Sequence, residues 1–207
     1  MDTLINELLI LCTDTHFNIN RAEEIARKVN LNQDISDLEY PTLRTSFLTT
    51  AIQNDNVEMV RILLQSGADP NYILYEDRPG FRENPFWDLQ YSNVKETEEA
   101  RFQIAQLMLE YGADSSMVLD DEDLFSYICF SVFNDFDDPF GLDDYRRRFF
   151  TLLVAYGGSG EYCKPRIIGK FDKTNMAQYQ FRYEICDDGY HLTGNIVNSK
   201  NEIVAII

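Results

Sequence analysis

The sequence contains few of the residues on which enzymes and redox proteins depend. It has two histidines, His16 and His191, one tryptophan, and four cysteines that form no Cys-x-x-Cys pair. Cysteines this far apart in a chain of 207 residues indicate neither a disulfide framework nor a zinc site, so we expect buried free thiols. A nucleophile pair of His191 with Cys186 or Cys163 stays open as an alternative, although no motif supports it.

Loops that bind phosphate or metal ions are also lacking. The glycine-rich run at residues 157–160 has neither the lysine nor the strand–loop–helix context of a phosphate-binding loop. The run at residues 135–138 begins like a calcium loop, but Pro139 replaces the third ligand and Phe140 replaces the turn glycine. The sequence therefore predicts no catalytic residue, no cofactor and no metal ion, with a loose calcium site as the alternative.

Long apolar runs and targeting signals are missing as well. No apolar run approaches the roughly 18 residues that a membrane span requires, and the first residues lack the basic start and the cleavage site of a signal peptide. Apolar residues make up 44% of the chain, which is enough for a sizeable core. We therefore expect a cytoplasmic protein without membrane contact, and we favour a monomer over an oligomer.

Positive charge is scarce and unevenly placed. The chain has 18 Lys and Arg against 35 Asp and Glu, a net charge of −17, and residues 161–207 are neutral overall. Residues 114–144 hold ten acidic side chains and no Lys or Arg. This charge repels phosphates, so we expect no direct nucleic-acid binding, whereas it attracts a basic protein surface. Solubility alone is the alternative explanation of the overall charge.

Three segments of the chain nearly repeat one another. Residues 46–71, 102–116 and 151–159 each end with an apolar helical pattern that runs into glycine. Apolar residues at helical spacing predict an amphipathic helix, and the glycine predicts the left-handed residue that ends it. A recurring helix–glycine unit indicates a repeat array, whose units bury their apolar faces by stacking.

The first of these segments resembles an ankyrin repeat. Residues 62–71, Ile-Leu-Leu-Gln-Ser-Gly-Ala-Asp-Pro-Asn, match the close of the family's repeat, and Asn84-Pro85-Phe86-Trp87 resembles the opening of the next one. The chain is similar to divergent ankyrin-repeat proteins of bacterial type. The resemblance implies a mainly α fold, in which antiparallel helix pairs stack and hairpin fingers between the repeats help to form a binding surface.

The resemblance implies an ankyrin-like array over residues 1–160. About three or four divergent repeats fit this length, with insertions near residues 91–100 and 134–144. Residues 1–36, with helices predicted near residues 3–11 and 21–29, form either a degenerate first repeat or a simple helix pair.

Alternation replaces the helical pattern in residues 161–207. Apolar residues from Tyr179 to Ile185 alternate with polar ones, which predicts a half-buried strand. Turn signals at residues 187–189 and 198–201 separate it from strands at 190–197 and 202–207, and a fourth strand fits 166–171. We predict a small antiparallel meander that caps the array, which makes the chain α+β overall. A dimerisation edge or a second binding face is the alternative.

Candidate partner-binding residues form two groups. The finger predicted at residues 72–83, with the repeat opening behind it, places large apolar side chains beside polar ones, as in interface anchors: Tyr72, Tyr75, Phe81 and Trp87. The acidic stretch supplies carboxylates and aromatic rings: Asp120, Asp121, Glu122, Asp123, Asp135, Phe136, Asp137, Asp138 and Phe140. For the first group, packing within the fold is the alternative.

These patterns together predict a protein-binding module rather than an enzyme. The expected partner is a protein, and the charge favours a basic one. A sharper hypothesis is an acidic inhibitor or immunity-type protein that covers the positive substrate groove of a basic enzyme, such as a nuclease toxin. The alternatives are an adaptor or scaffold with an apolar finger interface and, least favoured, an unrecognised enzyme.

Overall fold

A computed structural model describes residues 2–36, 44–75, 82–90, 97–119, 122–126, 143–160, 163–185 and 192–207. Its helices are α1 (Asp2–Thr13), α2 (Ile19–Ala26), α3 (Phe47–Gln53), α4 (Val57–Gln65), α5 (Glu98–Glu110) and α6 (Asp143–Ala155). Two short 3₁₀ turns span Trp87–Gln90 and Met176–Gln178. Helices dominate the described residues, as the repeat pattern predicts.

Short strands follow the helix pairs, and longer strands lie near the end of the chain. The short ones are β1 (Ile35–Ser36), β2 (Arg44–Thr45), β3 (Leu74–Tyr75), β4 (Arg82–Glu83), β5 (Val118–Leu119) and β6 (Glu122–Asp123). The others are β7 (Arg166–Ile167), β8 (Gln180–Ile185), β9 (Leu192–Val197) and β10 (Ile203–Ile206). The chain is therefore mainly helical with a small antiparallel sheet, which confirms the predicted α+β class.

The chain divides into two compact units, Met1–Ala113 and Asp114–Ile207. In the first unit α1 packs on α3 and α2 packs on α4, while α4 packs in turn on α5. First helices thus stack on first helices and second on second, as in consecutive repeats. The helix pair predicted within residues 1–36 is confirmed, and the proposed boundary at residue 160 remains a prediction.

Several predicted boundaries shift in the structure. A hairpin formed by β1 and β2 precedes the finger at residues 72–83, which we expected to be the first. Residues 98–100 and 143–144, predicted to lie in insertions, already belong to α5 and α6. Acidic residues such as Glu98 and Glu99 are favourable in the first turn of a helix, because the helix dipole is positive there.

Asparagine side chains cap the start of α2 and of α4. Asn18 and Asn56 accept hydrogen bonds from the backbone N–H groups of Arg21 and Met59 at 3.1 Å each. Each bond satisfies one of the backbone donors that the first turn of a helix leaves without an internal partner. The turn before α4 also holds Asp55 at a φ of 53°, a conformation that aspartate tolerates better than most residues.

One loop geometry ends α4, α5 and α6. Gly67, Gly112 and Gly157 have φ values of 99°, 94° and 87°. The N–H of the residue after each glycine reaches back to a helix carbonyl, for example from Ala113 to Met108 at 2.9 Å. This bond pattern is typical of helix ends with a left-handed residue, so the sequence prediction for all three glycines is confirmed.

Replacing Gly112 with alanine will destabilise the first unit by about 1–2 kcal/mol. No atom lies within 4 Å of the Cβ that alanine would add, so the cost arises from the left-handed backbone alone. Urea unfolding of the purified variant measures this loss. Asn at the same position is the control, because it tolerates this conformation better, and equal losses for both variants would contradict the backbone explanation.

An ion pair joins α1 and α2. Arg21 on α2 donates from Nε and Nη2 to the two carboxylate oxygens of Glu7 on α1, both at 2.7 Å. These charge-assisted bonds lower the pKa of Glu7 below its ordinary value. Arg21 also contacts Glu24, which is paired with Lys28. The pairing orients α1 against α2, beside a core that includes Leu8 and Ala22.

The second unit contains a four-stranded antiparallel sheet in the order β7-β10-β9-β8. Phe181, Tyr183 and Ile185 of β8 lie opposite Ile196, Gly194 and Leu192 of β9. Alternate residues of a strand share one face, so the register brings together the two apolar sets that the alternation predicts. The turn at residues 198–201 is confirmed, whereas the predicted turn at 187–189 lies outside the described residues.

Aromatic packing joins the sheet to the helix before it. The ring of Phe150 on α6 lies 5.0 Å from that of Phe181 on β8 and 5.1 Å from that of Phe125. Phe150 is fully buried, as are its neighbours Leu152 and Leu153. The last helix thus covers one face of the sheet, which a small sheet needs for stability.

Candidate functional site

Three short hairpins project where ankyrin-like fingers are expected. β1 pairs with β2, β3 with β4 and β5 with β6, each over two residues per strand. Within the first unit β2 and β3 are in contact, so the first two fingers lie side by side. The fingers are positioned by the loops that end the helix pairs, and the geometry of those loops decides how firmly they are held.

One side-chain turn recurs in the loops before the fingers. A side-chain oxygen of Asn30, Asp69 or Asp114 accepts the N–H of the residue two positions later, at distances of 3.2, 2.9 and 2.8 Å. Such turns fix the local backbone without a neighbouring strand. The Gly-Ala-Asp segments of the sequence therefore serve both to end a helix and to start a finger.

Further hydrogen bonds link each loop to the next. Asn32 accepts from the N–H of Asp69 at 2.8 Å, and Asn71 donates from Nδ2 to the carbonyl of Gly112 at 2.9 Å. In the second unit Ser116 accepts from the N–H of Ser159 at 2.9 Å. Hydrogen bonds thus hold together the loops at the bases of the fingers. A surface formed by these fingers therefore loses little conformational freedom when a partner binds.

Capping residues open three of the helix pairs. Ser46, Asn84 and Asp123 accept hydrogen bonds from the N–H groups of Thr49, Trp87 and Ser126. The first two openings are predicted from the sequence, whereas the third is not. All three share a pattern that indicates it: a capping residue and two apolar residues, followed by a residue whose N–H bonds to the cap.

Asp123 therefore has a structural role besides its predicted role in partner binding. Its Oδ1 accepts the N–H of Ser126 at 2.6 Å, which starts the helical residues 124–126. A Cβ on Gly160 would lie 2.1 Å from the same oxygen, so the loop at residue 160 packs closely against this cap. A variant of Asp123 would thus change both stability and surface charge.

Tyr72 also has a structural partner. Its hydroxyl donates to Oδ1 of Asp34 at 2.8 Å, and its carbonyl accepts from Nδ2 of Asn84 at 3.2 Å. The side chain is half-buried and joins the base of the second finger to the loop before the first. These contacts favour packing as the main role of Tyr72.

Of the remaining predicted binding residues, some lie within the described ranges and others outside them. Trp87 is half-buried in the first 3₁₀ turn, and Tyr75 and Glu122 lie on the finger strands β3 and β6. The others lie outside the described residues: Phe81, Asp120, Asp121, Asp135, Phe136, Asp137, Asp138 and Phe140. Val118 on β5, which the sequence analysis misses, is 62% exposed and is an apolar finger residue.

Cations in the first unit are largely engaged by nearby carboxylates. Ion pairs within 4.0 Å hold five of them: Arg21, Arg27, Lys28, Arg61 and Arg101. Arg101 on α5 lies 2.9 Å from Asp55, and both side chains are largely buried. The field of residues 1–160 is negative because carboxylates outnumber cations there, whether or not the cations are paired.

A shallow groove of about 270 Å³ lies between α4 and α5. Its lining is mainly polar: Arg61, Gln103, Gln106, Leu107 and Glu110. Arg61 is bonded to Glu58, and Gln106 donates to Glu110 at 3.0 Å. Polar groups in the groove are thus hydrogen-bonded to neighbouring side chains. The residues that line it include no nucleophile and no histidine.

Within the described ranges no three His, Cys, Asp or Glu side chains are grouped to hold a metal ion. Cys12 and Cys163 are buried free thiols, as expected, and burial raises the pKa of Cys12. His16 is exposed beside Thr15 and Asp14, while His191 lies outside the described residues. In the part of the chain that the structure describes, no helix is both long and apolar enough to cross a bilayer.

Comparison with known families adds to this geometry. The family model described as Ankyrin repeat matches residues 46–73, which contain α3, α4 and the loop before β3. No curated protein matches the chain. Ankyrin repeats are protein–protein interaction modules, and the stacked helix pairs, bonded loops and hairpin fingers repeat the matched segment on both sides. The chain therefore contains an ankyrin repeat at residues 46–73 and, in its second unit, a small antiparallel sheet.

Proposed function

We propose that this protein-binding module acts as an acidic inhibitor, of immunity type, in the cytoplasm. The observation that carries the proposal is the charge of residues 1–160, which hold the entire net charge of −17. This excess of carboxylates attracts a basic enzyme, whose charge is opposite.

The fingers give this surface its shape. Their loops are bonded to one another, so the surface is ordered before a partner arrives. Long-range attraction between opposite charges raises the rate of encounter, and complementary placement of the charges selects the partner. Inhibition then requires no chemistry, because a bound acidic surface covers the groove that a negatively charged substrate would enter.

An adaptor with an apolar finger interface is the second candidate. Val118, 62% exposed on β5, supports it, because an exposed β-branched side chain on a finger is suited to an apolar contact. The two candidates differ in how salt affects binding. Screening weakens attraction between exposed charges, whereas it leaves apolar contacts intact or strengthens them.

Co-purification at two salt concentrations tests the proposal. The tagged protein is incubated with lysate of its native host, and captured proteins are identified by mass spectrometry. We expect one basic protein at a ratio of about 1:1, with binding weakened at least about tenfold between low and high salt. The captured protein is then assayed for an enzymatic activity that the chain inhibits.

Charge variants sharpen this experiment. The triple variant Asp135→Asn, Asp137→Asn, Asp138→Asn removes three charges from the acidic stretch and should weaken capture. The matched control Glu184→Gln, Asp187→Asn, Asp188→Asn removes three charges from the neutral region and should bind normally. Equal effects of both variants, or a partner whose binding does not depend on salt, would contradict the acidic inhibitor and favour the adaptor.

A further inference from the structure

A basic and apolar patch interrupts the acidic character of the chain. Ile167 and Ile168 are 46% and 52% exposed, and Lys164, Arg166 and Lys170 around them are exposed as well. Ile167 lies on β7 and Ile168 directly follows it, so their side chains point to opposite faces of the sheet. The patch therefore surrounds the edge strand instead of lying on one face.

The edge strand has backbone groups available for pairing. Among the described strands β7 is the outermost of its sheet and pairs with β10 alone, with Ile167 opposite Ala205. The N–H of Ile168 donates to the carbonyl of Val204 at 2.9 Å. Neighbouring residues of an antiparallel strand direct their amide groups to opposite sides. The N–H and carbonyl of Ile167 therefore point away from β10, towards the free side of the edge.

Charge near the edge is positive and uncompensated within the described part of the chain. No described carboxylate forms an ion pair with Lys164, Arg166 or Lys170. Asp172 is the acidic residue nearest to them in the described sequence, and its oxygens accept from Thr174 and Gln178. The three cations are thus available to a ligand of negative charge.

We propose that the outer edge of β7 binds an extended acidic segment of a partner protein as an added strand. The backbone of the segment would pair with Ile167, its apolar side chains would cover the two isoleucines, and its carboxylates would meet the surrounding cations. An extended peptide satisfies all three features together, whereas a phosphate-rich surface would leave the outward N–H and carbonyl unpaired.

Fluorescence anisotropy with two labelled heptapeptides tests this inference. The acidic probe is acetyl-EVEVEVE-amide and the neutral probe is acetyl-QVQVQVQ-amide. We expect the full-length protein to bind the acidic probe at least about tenfold more tightly than the neutral one, because the cations at this edge attract its carboxylates.

The variant Ile167→Pro isolates the backbone contribution. Proline lacks the N–H but is tolerated in an edge strand when that group points away from the sheet, so the bonds between β7 and β10 remain. Binding of the acidic probe should fall at least about tenfold, since the only outward amide of the strand is lost and the apolar side chain is replaced. Ile167→Val retains both features and should bind normally, while circular dichroism checks that both variants fold.

The charge-reversal variant Arg166→Glu, Lys170→Glu gives an independent reading if the proline variant does not fold. It should remove the preference for the acidic probe. Unchanged binding of the acidic probe by Ile167→Pro would overturn the proposal. So would a dimer that Ile167→Pro dissociates in sedimentation velocity, or capture by phosphatidylserine vesicles without peptide binding. The proposed inhibitor function rests on other residues, and its test can fail or succeed separately.

Discussion

The variant Phe150→Ala is expected to lose about 4 kcal/mol of unfolding free energy, the largest effect of any single substitution considered. Truncation of a buried phenylalanine costs about 3–5 kcal/mol, because apolar surface is lost and a cavity remains. Phe150 is fully buried and its ring meets those of Phe125 and Phe181 at 5.1 and 5.0 Å. Aromatic pairs of this spacing contribute beyond their buried area.

The position of Phe150 makes the loss large for the second unit as a whole. Phe125 lies in the helical residues 124–126, Phe150 on α6 and Phe181 on β8. One side chain therefore joins the opening of the last helix pair, its second helix and the sheet. A cavity here separates three elements at once, and neighbouring side chains on three different elements cannot all move to fill it.

Urea unfolding and amide hydrogen exchange measure this effect. We expect the midpoint to fall and the amides of β8 and β9 to lose protection, because the sheet loses contact with α6. Phe150→Leu is the matched control, since it retains an apolar side chain and should cost about 1 kcal/mol. A loss under about 1 kcal/mol for Phe150→Ala would show that the aromatic cluster does not hold the sheet.

Features that depend on neighbouring residues could be predicted from the sequence. The glycine that ends a helix and the residue that caps its start need no distant partner. Gly67, Gly112 and Asn56 can therefore be recognised from the local sequence. The alternation in β8 and β9 is recognisable for the same reason, and the observed register agrees with it. These signals were sufficient for the fold class and for the repeat array.

Features that depend on distant residues could not be predicted in this way. The finger strands are two residues long, too short to show alternation, so the hairpin of β1 and β2 gives almost no signal. The bond from Tyr72 to Asp34 joins residues that the sequence separates widely. A tyrosine that binds a partner protein and a tyrosine that packs within a loop look the same in the sequence. Only the hydrogen-bond partner of the tyrosine hydroxyl distinguishes them.

The variant Asn56→Ala is expected to lose about 2 kcal/mol, because one side chain joins two helix pairs. Asn56 is 4% exposed; its Oδ1 caps α4, and its Nδ2 donates to the carbonyl of Asp14 at 2.8 Å. A lost cap costs about 1 kcal/mol, and the loss of a partly buried hydrogen bond costs about 0.5–1.5 kcal/mol more. The sum exceeds the effect of a cap alone.

A matched control separates this double role from a general effect of the turn. Asn54 lies two residues earlier, is exposed, and donates to the carbonyl of Thr50 at 2.8 Å. Since water can replace that bond, Asn54→Ala should cost less than about 0.5–1 kcal/mol. Urea unfolding of both variants gives the comparison, and equal losses would contradict the role of Asn56 between the repeats.

The variant Asn56→Asp tests the donor and the acceptor separately. The carboxylate keeps the capping acceptor but faces the carbonyl of Asp14 without a hydrogen to donate. Burial and this contact would raise the folded-state pKa of the new carboxyl above its unfolded value. Protonation then favours folding, so the variant should be more stable near about pH 4 and lose stability as the pH rises to about 7. Asn56→Ala has no such group, and its deficit relative to the unmodified protein should stay constant over this range. A pH-independent deficit for both variants would show that the cap, and not the bond to the first repeat, determines the role of Asn56.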